Sequence, residues 1–278
     1  MPELPEVEHA RRVAHEALVG RLIERARVQD DRIVFEGATP RTFARRLRGR
    51  TVVGTDRHGK QFWIELDQGP CLMVHLGMTG ALRQPADDPL ALEGAPAEPD
   101  RSWPPRFWKL LLELDGGGAL AFTNTRRLGR LRLADDPRAV APVAGLGFDP
   151  LLALPRPTAF RDLLRRRRGA IKGVLLDQGF AAGVGNWIAD EVLYQAAIDP
   201  RRSVTSLSDA EVEALRKALR TVIRKAVAVD ARKDRFPRNW LFHHRWGKQE
   251  GSTTARGEPI EFLTVAGRTT AWVPARQR

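Results

Sequence analysis

Leu4, Val7, Ala10, Ala14, Ala17 and Leu18 recur at the spacing of one helix face, and Gly20 closes the run. The pattern predicts a packed helix over 4–18. The period then shortens. Ile33-Val34-Phe35, Thr51-Val52-Val53, Gln61 to Leu66, Cys71 to His75, Lys109 to Leu114 and Ala119 to Phe122 read as strands. Gly59 and the turns at 67–69 and 115–118 punctuate them. Many short strands with glycine turns predict an antiparallel sandwich or barrel. Gln84 to Pro105 is rich in Pro, Ala and Asp and reads as a surface loop.

Past Asp149-Pro150 the helical period returns, over Ala159 to Arg168, Ile171 to Gln178, Asn186 to Ala197 and Asp209 to about Val229. A capping box, Ser208-Asp-Ala-Glu211, opens the last of these. Asn239 to Arg245, Pro259 to Val265 and Thr269 to Val273 read as short strands again. The expected class is α+β. The expected divisions are a sandwich or barrel domain over 1–135, a linker over 136–155, a helical domain over 156–235 and a strand-bearing end over 236–278, which the resemblance given below makes a β-sandwich and a hairpin.

Charge narrows the partners. The 278 residues carry a net charge of +12, most of it on arginine. The guanidinium fork matches phosphate, so nucleic acid is the expected partner and binding should weaken with salt. A chain rich in Arg and Ala throughout accounts for part of that bias. The single Cys71 excludes an intramolecular disulfide framework. No secretory signal and no membrane-spanning run is evident, so a soluble intracellular protein with no membrane partner is expected.

The first candidate chemistry is Met1-Pro-Glu-Leu-Pro-Glu-Val-Glu8. Met before a small second residue is generally removed, which leaves Pro2 as a secondary amine. A free α-amino group has a pKa of about 8, so a fraction is unprotonated at neutral pH. Such an amine can attack an electrophilic carbon and pass to an iminium, and Glu3 is placed to move the protons. The same residues also describe an ordinary helix N-terminus, where Pro and Glu are favoured. The stretch alone does not decide.

Four more segments carry weaker signals. Arg57-His-Gly-Lys60 puts a lysine on a turn between strands, within reach of a phosphate or simply solvated. In His75-Leu-Gly-Met-Thr-Gly80, Met78 sits beside glycines, as a wedge between bases or as core filling. Thr123-Asn-Thr-Arg-Arg-Leu-Gly129 puts paired arginines on a loop. Gln178-Gly-Phe-Ala-Ala-Gly-Val-Gly-Asn186 joins two helices and lets backbone N–H groups approach an anion.

Together and in this order, these segments resemble the formamidopyrimidine-DNA glycosylase (Fpg) and endonuclease VIII family, on its Fpg branch, over essentially the whole chain. The resemblance implies a helix-flanked β-sandwich and a helix–two-turns–helix domain, with damaged duplex DNA between them and a nucleotide flipped out. It implies that Pro2 attacks C1′, that Glu3 is the acid/base, and that Glu6 shapes the base and water site. Lys60, His75 and Asn186 would hold phosphates around the lesion, with Lys60 counted in the catalytic set. Met78, Arg126 and Leu128 would fill the gap left by the flipped base. Arg127, Lys172, Gly185 and Arg268 complete the implied DNA contacts. The activity implied is a bifunctional glycosylase and abasic-site lyase, cutting by β- and δ-elimination, with no cofactor and as a monomer.

Two departures qualify this. Most family members end in a four-cysteine zinc finger, yet no Cys follows Cys71, so no zinc is expected. Gly267-Arg-Thr-Thr-Ala-Trp-Val-Pro274 and Trp240-Leu-Phe-His243 resemble instead the zincless finger of plant and fungal Fpg proteins. A hairpin packed through Trp246, Phe262 and Trp272 is expected, with Arg268 at its tip. Second, Leu128 stands where bacterial Fpg proteins commonly have Phe, and the segment from about Val227 to Arg238 looks short for a loop that covers 8-oxoguanine. Formamidopyrimidines, hydantoins and abasic sites are therefore the expected substrates, ahead of 8-oxoguanine. A non-catalytic damaged-DNA binding protein on this scaffold is the alternative. A bacterial cytoplasm, with its nucleoid, or a nucleus is the expected location.

Overall fold

A computed structural model describes residues 2–85, 101–248 and 251–278. The chain divides into two compact units, the first reaching Gly145 and the second running from Leu146 to Arg278. Much of the expected 84–105 loop, residues 86–100, lies outside the described residues. Among the described residues no helix is long and apolar enough to cross a membrane.

The first unit is built on helix α1 (Leu4–Leu18), with the bounds its periodicity predicts, and on two four-stranded antiparallel sheets. One sheet has the order β1 (Ile23–Val28), β6 (Trp108–Leu114), β7 (Ala119–Asn124), β5 (Gly80–Arg83). The other has the order β2 (Val52–His58), β3 (Gln61–Leu66), β4 (Cys71–His75), β8 (Arg130–Ala134). Alternation sorts the side chains between faces. Leu110, Leu112 and Leu114 of β6 enter the main core with Phe62, Ile64, Leu72, Val74, Leu120 and Phe122. The intervening Leu111 joins Ala119 and Ala121 in a small separate cluster. Val7, Ala10, Ala14 and Leu18 of α1 pack into the same main core.

Three expectations are corrected here. Ile33-Val34-Phe35 is a turn with a single bridge from Phe35 to Leu131, because the Asp31 carboxylate takes the N–H groups of Ile33 and Val34. Asn239 to Arg245 contains a 3-10 turn at Leu241–His243. Its residues Trp240, Leu241 and Phe242 are buried in succession rather than alternately, which a strand with one solvated face does not do. The 136–155 stretch is not a free linker. Val143 packs on Trp63 and Met73 in the first unit. Phe148 packs edge-on against Phe160 and Phe180 in the second.

The sequence pattern also passed over helix α2 (Pro40–Leu47) and strands β1, β5 and β8. Helix α2 buries only Pro40, Phe43 and Leu47, too short a run to register as periodic, and is opened by a Thr39 cap on the N–H of Thr42.

The second unit holds α3 (Pro157–Arg165), α4 (Ile171–Leu176), α5 (Asn186–Ala196), α6 (Asp209–Ala228) and a hairpin of β9 (Glu261–Val265) and β10 (Arg268–Trp272). Helix α5 is its centre: every residue from Trp187 to Tyr194 is buried. The hairpin shares that centre, since Ile260, Ala271 and Val273 pack with Tyr194 and Leu241.

Candidate active site and nucleic-acid interface

The first turn of α1 is closed by its own carboxylates. Glu3 is the N-cap, and the Glu6 carboxylate accepts its backbone N–H at 3.0 Å, while the Glu3 side chain accepts the N–H of Glu6. Pro2 and Glu3 are buried. Burial, then the neighbouring charge of Glu3, pushes the Glu6 carboxyl up to about 7. Glu6 can therefore hold or release a proton near neutral pH, one helical turn from Pro2.

Two residues that the sequence reading assigned no role fix this helix to the sheet. Glu8 takes Arg57 Nε at 3.0 Å, and Arg11 and Arg12 at 2.9 and 3.1 Å. Burial alone would raise the Glu8 carboxyl, but the guanidiniums of Arg11 and Arg57 hold it down at about 2. Arg57 Nη1 also donates to the carbonyl of Gly59 at 3.0 Å. The turn that carries Lys60 is thus tied to the helix that begins just after Pro2. His75 lies in register between Gln61 and Arg130. Burial, then the charges of Arg132, Lys60 and Arg130, push its imidazole down to about 4. At neutral pH His75 is uncharged and can offer a phosphate an N–H rather than a charge.

Met78 and Leu128 are exposed apolar side chains on adjoining turns. Buried Asn124 joins the turns: Nδ2 donates to the Leu76 carbonyl at 3.1 Å, and Oδ1 accepts the N–H of Gly129 at 3.1 Å. A Cβ on Gly77 would fall 2.4 Å from the backbone of Leu128, so glycine is needed for this approach. Arg126 is exposed, and its N–H donates to Thr79 Oγ1 at 3.2 Å. Arg127 is held differently. Asp31 grips it at 2.9 and 3.1 Å and also takes Lys109 Nζ at 2.8 Å. Burial would raise the Asp31 carboxyl, but Arg127 and Lys109 hold it well below the carboxylate range. Arg127 sits at φ 54, so the grip also pins an uncommon backbone.

In the second unit, Gln178 stitches the glycine-rich turn. Its amide donates to the carbonyls of Leu176 and Val184 and accepts the N–H of Gly183. Gly185 is the N-cap of α5 and Asn186 its first residue. Asn186 Nδ2 donates to the Thr269 carbonyl at 2.8 Å, which brings it beside the hairpin turn. That turn is Ala266-Gly267 with both residues at positive φ, the two-residue geometry that suits strand twist, and Arg268 is exposed beside it.

Lys172 departs from its expected role as a DNA contact. Its ammonium is fully buried, 2.6 Å from Asp190 Oδ1 and 2.6 Å from Thr270 Oγ1. Arg245 Nη2 reaches the other Asp190 oxygen at 2.7 Å, and that oxygen accepts the N–H of Ala271. Lys172 therefore fastens β10 to α4 and α5. The expected hairpin anchors are only part of the packing. Trp272 is buried under the Arg201 guanidinium, Trp246 packs on Phe242, and Phe262 is half-buried. The ionic knot was legible as a hint: Asp190-Glu191 are adjacent acids inside an apolar helix run.

Comparison with known proteins agrees with both units. Residues 1–131 match the family described as formamidopyrimidine-DNA glycosylase N-terminal domain, and residues 146–237 match its H2TH domain. The formamidopyrimidine-DNA glycosylase of Arabidopsis thaliana is 41% identical over 278 residues, covering 100% of this chain and 71% of that protein. That of Thermomicrobium roseum is 37% identical over 294 residues, covering 100% and 99%. The Lactococcus lactis Fpg bound to DNA containing an abasic site superposes with a TM-score of 0.81 at 27% identity, covering 99% of each chain. A Lactococcus lactis variant bound to DNA containing Fapy-dG gives a TM-score of 0.81 at 28% identity over all of both chains.

Proposed function

The chain belongs to the formamidopyrimidine-DNA glycosylase family, and from that premise we propose that Pro2 is its nucleophile, freed by loss of Met1. The protein is a DNA glycosylase and abasic-site lyase of base excision repair, and its partner is DNA. The Pro2 nitrogen attacks C1′ of the damaged nucleotide, and the bond to the base breaks as the base leaves. Glu3 protonates the sugar ring oxygen, and the opened sugar is held as an iminium. Loss of the C2′ proton expels the 3′ phosphate, and a second elimination expels the 5′ phosphate.

The observation that carries this reading is the closed first turn of α1, with Pro2 next to buried Glu3 and Glu6 poised at about 7. Lys60 supplies a cation and His75 a neutral donor to phosphates beside the lesion. Asn186 and Arg268 do the same from the second unit. Formamidopyrimidines, hydantoins and abasic sites are preferred over 8-oxoguanine, in keeping with Leu128. The enzyme works as a monomer, without zinc, in a bacterial nucleoid or a nucleus.

The test is a duplex with one abasic site, incubated with protein and borohydride. A covalent adduct that is lost in Pro2→Gly and suppressed in Glu3→Gln supports the mechanism. No adduct, with Met1 absent and DNA still bound, would reject it in favour of a binding protein. Excision rates on defined lesion duplexes test the substrate order, which faster removal of 8-oxoguanine would overturn.

A further inference from the structure

One buried asparagine is hydrogen-bonded to the backbone of three segments that each carry an exposed apolar side chain. Asn124 holds the Met78 turn through the Leu76 carbonyl and the Leu128 loop through the Gly129 N–H. Its own backbone N–H donates to the carbonyl of Phe107 at 3.0 Å. Phe107 is more exposed than either of the others, at 51% against 38% for Met78 and 41% for Leu128. Nothing in the sequence reading gave it a role.

The Phe107 backbone makes the exposure notable. It sits at φ 59, in the left-handed region that a bulky residue rarely adopts. Glycine would hold that conformation without strain. A strained residue persists where something other than the fold gains from its side chain. About half of the residue is exposed, and the Arg106 guanidinium lies over the ring at 5.2 Å. Arg106 and Arg126, both exposed, add the positive charge that a phosphate backbone would meet.

We propose that Phe107 is a third apolar contact to the lesion duplex, its ring stacking on a nucleotide beside the gap that Met78 and Leu128 fill. It supplies the aromatic face that Leu128 does not. Stacking on a base is tolerant of sequence, which suits a protein that must meet damage in any context. The proposal rests on the DNA-binding part of the reading above, and not on its covalent chemistry.

The experiment measures affinity for a duplex carrying a tetrahydrofuran abasic analogue, alongside thermal melting, for wild type, Phe107→Gly, Phe107→Ala and Phe107→Trp. Phe107→Gly is expected to bind about tenfold or more weakly while melting at the same or a higher temperature. Phe107→Ala should bind as weakly, and Phe107→Trp should recover affinity to within about threefold. A merely structural ring would not give weaker binding with an undiminished melting temperature. Wild-type affinity in both Phe107→Gly and Phe107→Ala would overturn the proposal and leave the Pro2 mechanism standing. Weaker binding in those variants, from a wild type that forms no borohydride adduct, would sink the Pro2 mechanism and keep the platform.

Discussion

The start of α1 and the tip of the β9–β10 hairpin each hold a short piece of chain in place, and they do so differently. At α1 the contacts that shape the turn span three residues: Glu3 and Glu6 cap each other. At the hairpin they span most of the second unit, since Lys172 reaches Thr270 and Arg245 reaches Asp190. The first arrangement tunes a proton, leaving Glu6 at about 7. The second neutralises buried charge and orders backbone. A local motif can thus be ordered by neighbours in sequence, whereas the hairpin draws its partners from several elements.

Breaking each region at its centre gives the largest effects. Glu3→Gln should lower base excision by roughly a hundredfold to ten-thousandfold, the usual worth of a positioned acid/base, with DNA affinity largely kept. Single-turnover kinetics on a formamidopyrimidine duplex would check it. Asp190→Ala should instead cost stability, about 3–5 kcal/mol, because Lys172 and Arg245 are left buried without their counter-charge. Denaturant unfolding of the whole chain measures this. If Asp190→Ala unfolds like wild type, the ionic knot is not what fastens the hairpin.

Smaller perturbations sharpen the contrast. Arg268→Ala should weaken duplex binding by about tenfold and lower the magnitude of the salt slope by about one, with stability unchanged. Titrating affinity against salt would show it. Glu6→Gln should remove an ionisation near pH 7 from the pH–rate profile, the group being protonated below that pH and charged above it. A profile that keeps the inflection in the variant would assign it elsewhere.

A further effect is on stability. Burial pushes Glu191 of α5 up to about 7 from the ordinary value of 4.5. The folded state then binds the extra proton between those values, so stability falls as pH rises from about 4.5 to about 7. Glu191→Gln should flatten that slope, read as unfolding midpoints across the window.

Much of the candidate site was written in order along the chain. Pro2, Glu3 and Glu6 fall within one helical turn, and Lys60, Met78 and Asn186 fall in turns marked by glycine. Such features depend on neighbours in sequence, so reading the sequence reaches them. Lys172 shows the limit. The family resemblance implied a DNA contact there, while its place was set by Asp190 and Thr270, on α5 and β10. Arg127 was paired with Arg126 in the sequence, yet Asp31 from a distant turn holds it.

The sequence by itself determined the helix of residues 4–18, the alternation of the strands, the basic balance and the order of the motifs. It also shows no cysteine between Cys71 and Arg278. These follow from periodicity, composition and local turn chemistry. Tertiary structure alone decided which charges are buried, that His75 is neutral, that Asn124 ties the Met78 turn, the Leu128 loop and the Phe107 carbonyl together, and that Phe107 sits at positive φ. Desolvation and hydrogen bonding depend on what surrounds a group in space, and residues remote in the chain supply those surroundings.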